Sequence, residues 1–149
     1  MPDVYTRDWS NAIQELLNGN AEVEKNAPRG RYKMLAEIHG DRPSPYVAEG
    51  EQRFFVVQFD EGKCTDYDEL DEAPPRKDFD FIFEFPASVF EGVAAATVDP
   101  IDAGLKGTIK ITGDMRILIR HAELVNVLRD VYAREVETTW PKGEPPYAS

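Results

Sequence analysis

The side chains best suited to chemistry are few: two histidines, His39 and His121, one cysteine, Cys64, and the acids Asp66, Asp68, Glu69, Asp71 and Glu72. A general base needs a partner group within hydrogen-bond reach, and the two histidines are distant in sequence. His39 ends an alternating stretch and reads as a surface group; His121 flanks apolar positions of a helix and reads as an interface group. Calcium in an EF-hand loop needs glycine at the sixth position and glutamate at the twelfth. Counted from Asp66, those positions hold Asp71 and Lys77, so the run reads as a solvated acidic loop. Cys64 has only Lys63 beside it to stabilise a thiolate and reads as a small buried hydrophobe. Gly-x-Ser-x-Gly, a phosphate-binding Gly-rich loop ending in Lys-Ser/Thr, and His-Glu-x-x-His are all missing. No catalytic residue, metal ligand set or cofactor site is assigned.

Composition narrows the partners. The net charge is -11 at pH 7, so phosphate backbones and anionic headgroups are repelled overall. Nucleic acid is not an expected partner, and neither is stable membrane insertion. One cysteine allows no internal disulfide and no Cys-based metal cluster. The N-terminal stretch has Asp3, Arg7 and Asp8 and no apolar core segment, and Ala148-Ser149 is not a Ser-Lys-Leu address. The expected compartment is the cytoplasm. A chain of 149 residues is expected to form one domain, 1–149, able to bury about 70% of its unfolded surface.

The elements that would position a site follow from hydrophobic spacing. Trp9, Ile13, Leu16 and Leu17 recur at helical spacing after Asp8 as cap, with a stop at Asn18-Gly19-Asn20. Ala21 to Gly30 is polar, contains Pro28 and reads as a connection. Arg31 to His39 alternates as a strand, and Gly40 to Arg53 is a long loop. Phe54 to Asp60 is a strand apolar on both faces, so both faces are expected to be covered. A tight turn at Glu61-Gly62 leads into a weaker strand, Lys63 to Tyr67, with Cys64 on one face and Thr65 and Tyr67 on the other. Asp66 to Asp80 reads as an exposed loop.

Phe79, Phe81, Phe83 and Phe85 then alternate on one face of a strand that Pro86 stops. Ser88 is placed to cap a helix carrying Val89, Phe90, Val93 and Ala94; Asp99-Pro100 opens a second, broken by Gly104 and Gly107. Thr108 to Thr112 alternates as a last strand. From Met115 a long helix carries one stripe of Met115, Leu118, Ala122, Val125, Leu128 and Tyr132 and a second of Ile117, Leu124, Val127 and Val131. That apolar face is wider than one buried seam requires. Residues 138–149 read as an extended Pro-rich tail, either packed through Trp140 and Tyr147 or disordered. The expected fold is α+β: a mainly antiparallel sheet of about five strands covered on one face by helices.

The run Val98-Asp99-Pro100, then Ala103, then Leu105-Lys106-Gly107-Thr108-Ile109-Lys110-Ile111-Thr112-Gly113-Asp114 resembles the signature of the SCP-2 (sterol carrier protein 2) family. Ala96-Thr97 stand where that family commonly has glycine, and Thr108 where lysine is common. The resemblance implies the same SCP-2-like α+β fold, with sheet and helices enclosing an apolar tunnel. It implies a non-catalytic function: binding or carrying fatty acid, fatty acyl-CoA or sterol. Lining residues are then expected at Phe81, Phe83, Phe85, Phe90, Leu105, Ile109, Ile111, Met115, Leu118 and Ala122. A rival reading keeps the fold, fills the interior and turns the wide helix face to a second copy or a partner enzyme. A third, an enzyme using carboxylates such as Asp78 or Asp80, requires one of them in a cleft with a raised pKa.

Overall fold

The computed structural model describes residues 2–27 and 29–147; the expectations at Pro28, Ala148 and Ser149 fall outside them. Helices α1 (Arg7–Asn18) and α2 (Ala21–Asn26) precede strands β1 (Arg31–His39), β2 (Gln52–Asp60) and β3 (Lys63–Leu70). A 3-10 turn, Arg76–Asp78, leads to β4 (Phe81–Pro86), α3 (Ala87–Ala94), α4 (Pro100–Leu105) and β5 (Lys110–Gly113). Helices α5 (Met115–Arg120) and α6 (Ala122–Asp130) follow, the latter running into a π-helical turn at Val131–Glu135.

The sheet order is β3-β2-β1-β4-β5. Only β1 and β4 are parallel; the other neighbours pair antiparallel, so the expected mainly antiparallel α+β sheet is the one found. The parallel pair has a simple origin. The β2–β3 hairpin occupies one side of β1, so the chain must cross the sheet to reach the other. Residues 71–80 make that crossing on the face away from the helices. There Phe79 and Leu70 pack on Leu35, Phe54, Val56 and Ile82, which covers both faces of β2 as its sequence requires. Phe79 therefore does not share a face with Phe81, Phe83 and Phe85. Asp80 fixes the switch: its carboxylate accepts from the Lys33 backbone at 2.8 Å and its own amide donates to the Lys33 carbonyl.

On the other face, α1, α2, α3 and α6 build the main core with Trp9, Ile13, Val23, Phe55, Phe59 and Leu124. Several boundaries differ from the spacing-based expectation. Thr6, not Asp8, caps α1 by accepting from the Trp9 amide. The stretch after Asn20 is a helix, not a connection: Asn20 caps it, and its single buried anchor, Val23, leaves no period to read. Strand β3 runs on to Leu70, and Thr65 is an extra residue in its ladder, between the pairs Phe59↔Cys64 and Gln58↔Asp66. That bulge puts Cys64 and Tyr67 on the same, buried face, where alternation had separated them. Ser88 is not a cap; α3 starts at Ala87, and Asp41 accepts from the Ser88 amide and hydroxyl. The last strand begins at Lys110, two residues late, because the Ile109 amide is held by the Ala103 carbonyl.

The helix expected from Met115 is two helices. His121 leaves helical geometry (φ -111°, ψ 31°), and its Nδ1 lies 3.1 Å from the Asn26 carbonyl. This break cuts across both stripes, leaving Met115, Ile117 and Leu118 on α5 and the other members on α6 or just after it. Leu124 and Val131 enter the core, whereas α5 carries exposed Met115 and Ile119 outward.

A candidate ligand cavity between sheet and helices

Between β4–β5 and α3–α6 the helices do not close on the sheet. They leave a cavity of about 320 Å³. Its floor is Met34 and Ala36 of β1, Val57 and Phe59 of β2, Phe83 and Phe85 of β4, and Ile111 of β5. Alternation is what aims these side chains to one side. Met34, Ala36, Val57, Phe83 and Phe85 remain only half-buried although they stand in the middle of the sheet, because they face this space. The roof comes from Phe90, Val93 and Ala94 of α3, Pro100, Ile101, Gly104 and Leu105 of α4, and Met115, Leu118 and Ile119 of α5. Ala122, Val125, Leu128 and Arg129 of α6 and Tyr132 just after it close one side.

Nine of the ten residues expected to line a tunnel stand on this wall: Phe83, Phe85, Phe90, Leu105, Ile109, Ile111, Met115, Leu118 and Ala122. Phe81 does not. It shares their face of β4 but is 3% exposed, its ring stacked on Tyr32 at 6.3 Å. It packs beside Gly113, whose φ of 145° suits glycine and where an added Cβ would lie 2.4 Å from the Phe81 ring. Phe81 therefore belongs to a packed layer beyond the end of the cavity. Sequence spacing missed Met34, Ala36, Val57 and Phe59, since alternation gives two faces and does not say which one meets an opening. It also missed Arg129, which is legible in hindsight as the one cation set between Val125, Leu128 and Tyr132.

Arg129 is the one charged residue on the wall among the described residues, with Nε 3.6 Å from Asp130 and a side chain 29% exposed. The Tyr132 hydroxyl is occupied by that of Tyr67; burial raises the pKa of both, so neither ionises near neutral pH. Burial also pushes the Cys64 thiol up to about 12, which removes thiolate nucleophilicity. The opening is apolar as well. Leu105, Ile119 and Met115 are 84%, 73% and 45% exposed.

Two polar clusters lie off the cavity. Glu91 is fully buried on α3 and accepts from Tyr5 at 2.6 Å, Ser44 at 2.8 Å and Tyr147. These tie the N-terminal segment, the β1–β2 loop and the C-terminal tail to one helix. Burial raises the Glu91 pKa, and the hydrogen bonds from Tyr147, Tyr5 and Ser44 work against it. On the far face, His39 Nε2 stands 3.6 Å from Glu37 and 3.8 Å from Glu84. These three groups are close enough together to hold a cation, but Arg76 already meets Glu37 at 3.1 Å and Glu84 at 3.7 Å and supplies the positive charge there. The acids proposed for catalysis are apart from the cavity: Asp78 is exposed in the 3-10 turn, and Asp80 holds the Lys33 backbone.

Residues 21–126 match the sequence profile of the SCP-2 sterol transfer family. No functionally curated protein matches the chain. Among solved structures, a crystal structure of sterol carrier protein 2 superposes with a TM-score of 0.74 at 19% identity, covering 89% of this chain and 98% of that one. A solution structure of a conserved hypothetical protein from Thermus thermophilus gives 0.73 at 20% identity, covering 96% of each chain. The sterol carrier protein domain 2 of Helicoverpa armigera gives 0.51 at 18% identity, covering 82% and 86%. At these identities the likeness is one of fold.

Proposed function

Because this chain belongs to the SCP-2 sterol transfer family, we propose that it binds and carries an apolar lipid in the cavity between sheet and helices, without covalent chemistry. The observation that carries this reading is the cavity itself: about 320 Å³, walled by aliphatic and aromatic side chains, with one cation. Each buried methylene of a guest contributes about 0.8 kcal/mol, so a long chain reaches useful affinity from burial alone. The volume lies near the lower end of the roughly 300–1,000 Å³ usual for ligand pockets. That favours a slender acyl chain over a fused-ring sterol. Arg129 is placed to meet a carboxylate or phosphate head once the tail is inside. The rival reading, an accessory module with a filled interior, gains no support from half-buried side chains around open space.

The test is native mass spectrometry of protein purified from cells, followed by titration with a fluorescent fatty acid. Bound lipid mass and saturable uptake are expected. An empty protein that takes up no probe overturns the reading. Arg129→Gln should weaken a fatty acid by about tenfold and leave the matching fatty alcohol unaffected, since only the acid engages the guanidinium.

A further inference from the structure

The geometry points to a binding site for a divalent transition-metal ion of the Zn2+ type on the far face of the sheet, with Glu37, His39 and Glu84 as ligands and Arg76 as the group that the metal displaces. The site is independent of the cavity and of the carrier reading. Strand register builds it. Glu37 of β1 and Glu84 of β4 are direct partners in the parallel pair. His39, two residues beyond Glu37, projects from the same face. One ligand atom from each of the three lies within 4.8 Å of the others. His39 Nε2 stands 3.6 Å from Glu37 Oε2 and 3.8 Å from Glu84 Oε1. Ligand atoms about 2.1 Å from a tetrahedral ion stand about 3.4 Å apart. Small rotations of the two carboxylates therefore complete three corners and leave the fourth to water.

A cluster of ion pairs alone would leave two features without a cause. Among the described residues, His39 Nε2 is the one buried side-chain nitrogen or oxygen with no hydrogen-bond partner. Buried polar atoms are seldom left so, and this one is aimed between two carboxylates. The charge is unbalanced as well. Arg76 donates to both Glu37 oxygens at 3.1 Å and comes only within 3.7 Å of Glu84, so one cation faces two carboxylates, and Glu37 is buried. A divalent ion offsets both. Arg76 can leave at little cost, because it is exposed and stands on a three-residue turn. Gln52, the register partner of His39 on β2, supplies the support that a metal-bound imidazole needs. Its side-chain amide lies 3.0 Å from His39 Nδ1. With the carbonyl oxygen turned to that atom, Gln52 accepts from Nδ1–H and leaves the Nε2 lone pair to the metal. One imidazole with two carboxylates suits Zn2+ better than Mg2+ or Ca2+, which take oxygen ligands.

The test titrates Zn2+ into the untagged whole chain by isothermal titration calorimetry and follows the histidine ring signals by proton–nitrogen NMR. One equivalent is expected to bind and to shift the ring nitrogens of His39 and not those of His121, with excess Mg2+ failing to compete. Arg76→Gln should bind Zn2+ roughly tenfold more tightly, since the competing cation is gone. Loss of structure cannot mimic that gain. His39→Ala should lower the affinity at least roughly tenfold. Gln52→Ala should weaken binding less, and Gln52→Glu should restore it, as expected of a residue that positions the imidazole. Circular dichroism checks that each variant is folded. Four results each overturn the proposal: no binding, a shift at His121 in place of His39, affinity that His39→Ala leaves intact, or Arg76→Gln binding no more tightly than wild type.

Discussion

One face of one sheet has two different coverings. Over β3 and the rest of β2, away from the Val57 and Phe59 that floor the cavity, it is sealed by α1, a 12-residue helix with Trp9, Ile13 and Leu17 each no more than 2% exposed. Over β4 and β5 it is spanned by α4 and α5, each of six residues; α4 buries only Ala103 and α5 buries none of its own. A helix three turns long brings several large anchors onto a sheet, whereas two helices of under two turns cannot. The open volume is thus a consequence of which helices cover which strands. It does not reflect a poor core, because the sealed half is packed through Tyr5, Trp9, Phe55, Phe90 and Tyr132 in mutual aromatic contact.

The sharpest way to break this comparison is to remove an anchor from each half. Trp9→Ala should cost about 4 kcal/mol, through lost burial and the Thr138 hydroxyl left without the indole N–H that now donates to it at 2.9 Å. Chemical denaturation reads this directly. Glu91→Ala comes next, at about 3 kcal/mol, because Tyr5, Ser44 and Tyr147 all lose their acceptor and the three segments they hold are released. Glu91→Gln should recover much of that loss. If Trp9→Ala costs no more than a cavity substitution, the two halves are not energetically distinct.

On the open side the same kind of change should be mild. Leu118→Ala adds space to a wall that already faces space, so about 1 kcal/mol is expected, with a measurable change in ligand affinity. Ala36→Phe goes further in the opposite direction. Its ring would project from the middle of the floor into the cavity, so stability should move by less than about 1 kcal/mol while fatty-acid uptake is lost. A large stability loss from Ala36→Phe would mean that the space is narrower than its lining indicates.

The sheet was legible because its strands alternate, and β1, β2 and β4 follow their patterns closely. The order of elements from Phe81 to Asp114 was legible from Asp99-Pro100 and the glycines that follow. Nine wall residues followed from those faces taken together with the family resemblance. Phe81 was misplaced because a period of two gives a side of the sheet and no position along it. Cys64 and Tyr67 were separated because a single bulged residue, Thr65, inverts the alternation without leaving a mark in residue types. The single long helix failed at His121, whose tie to the Asn26 carbonyl is a contact between segments 95 positions apart. Glu91 was overlooked because a glutamate on a helix ordinarily faces water, and its three hydroxyl partners come from Tyr5, Ser44 and Tyr147.

Acidity offers a smaller and more selective probe of the two halves. Asp66 on β3 is raised to about 6, chiefly by the hydrogen bond it shares with Asp68, then by burial and by the charge of Asp68. Burial raises Glu91 as well. A carboxyl whose folded pKa exceeds its unfolded value holds its proton more tightly in the folded state. Its contribution to stability is complete below the unfolded value, near 3.8 for aspartate, and is lost as pH rises through the folded one. For Asp66 that window runs from about 4 to 6. Asp66→Asn should therefore flatten the fall in thermal stability across this range, and Glu91→Gln should remove a further share of it. Neither acid lies on the cavity wall. Uptake of a neutral fatty alcohol should then stay level from pH 4 to 6 while the melting temperature changes. Parallel movement of the two would show that the sealed and open regions respond as one body.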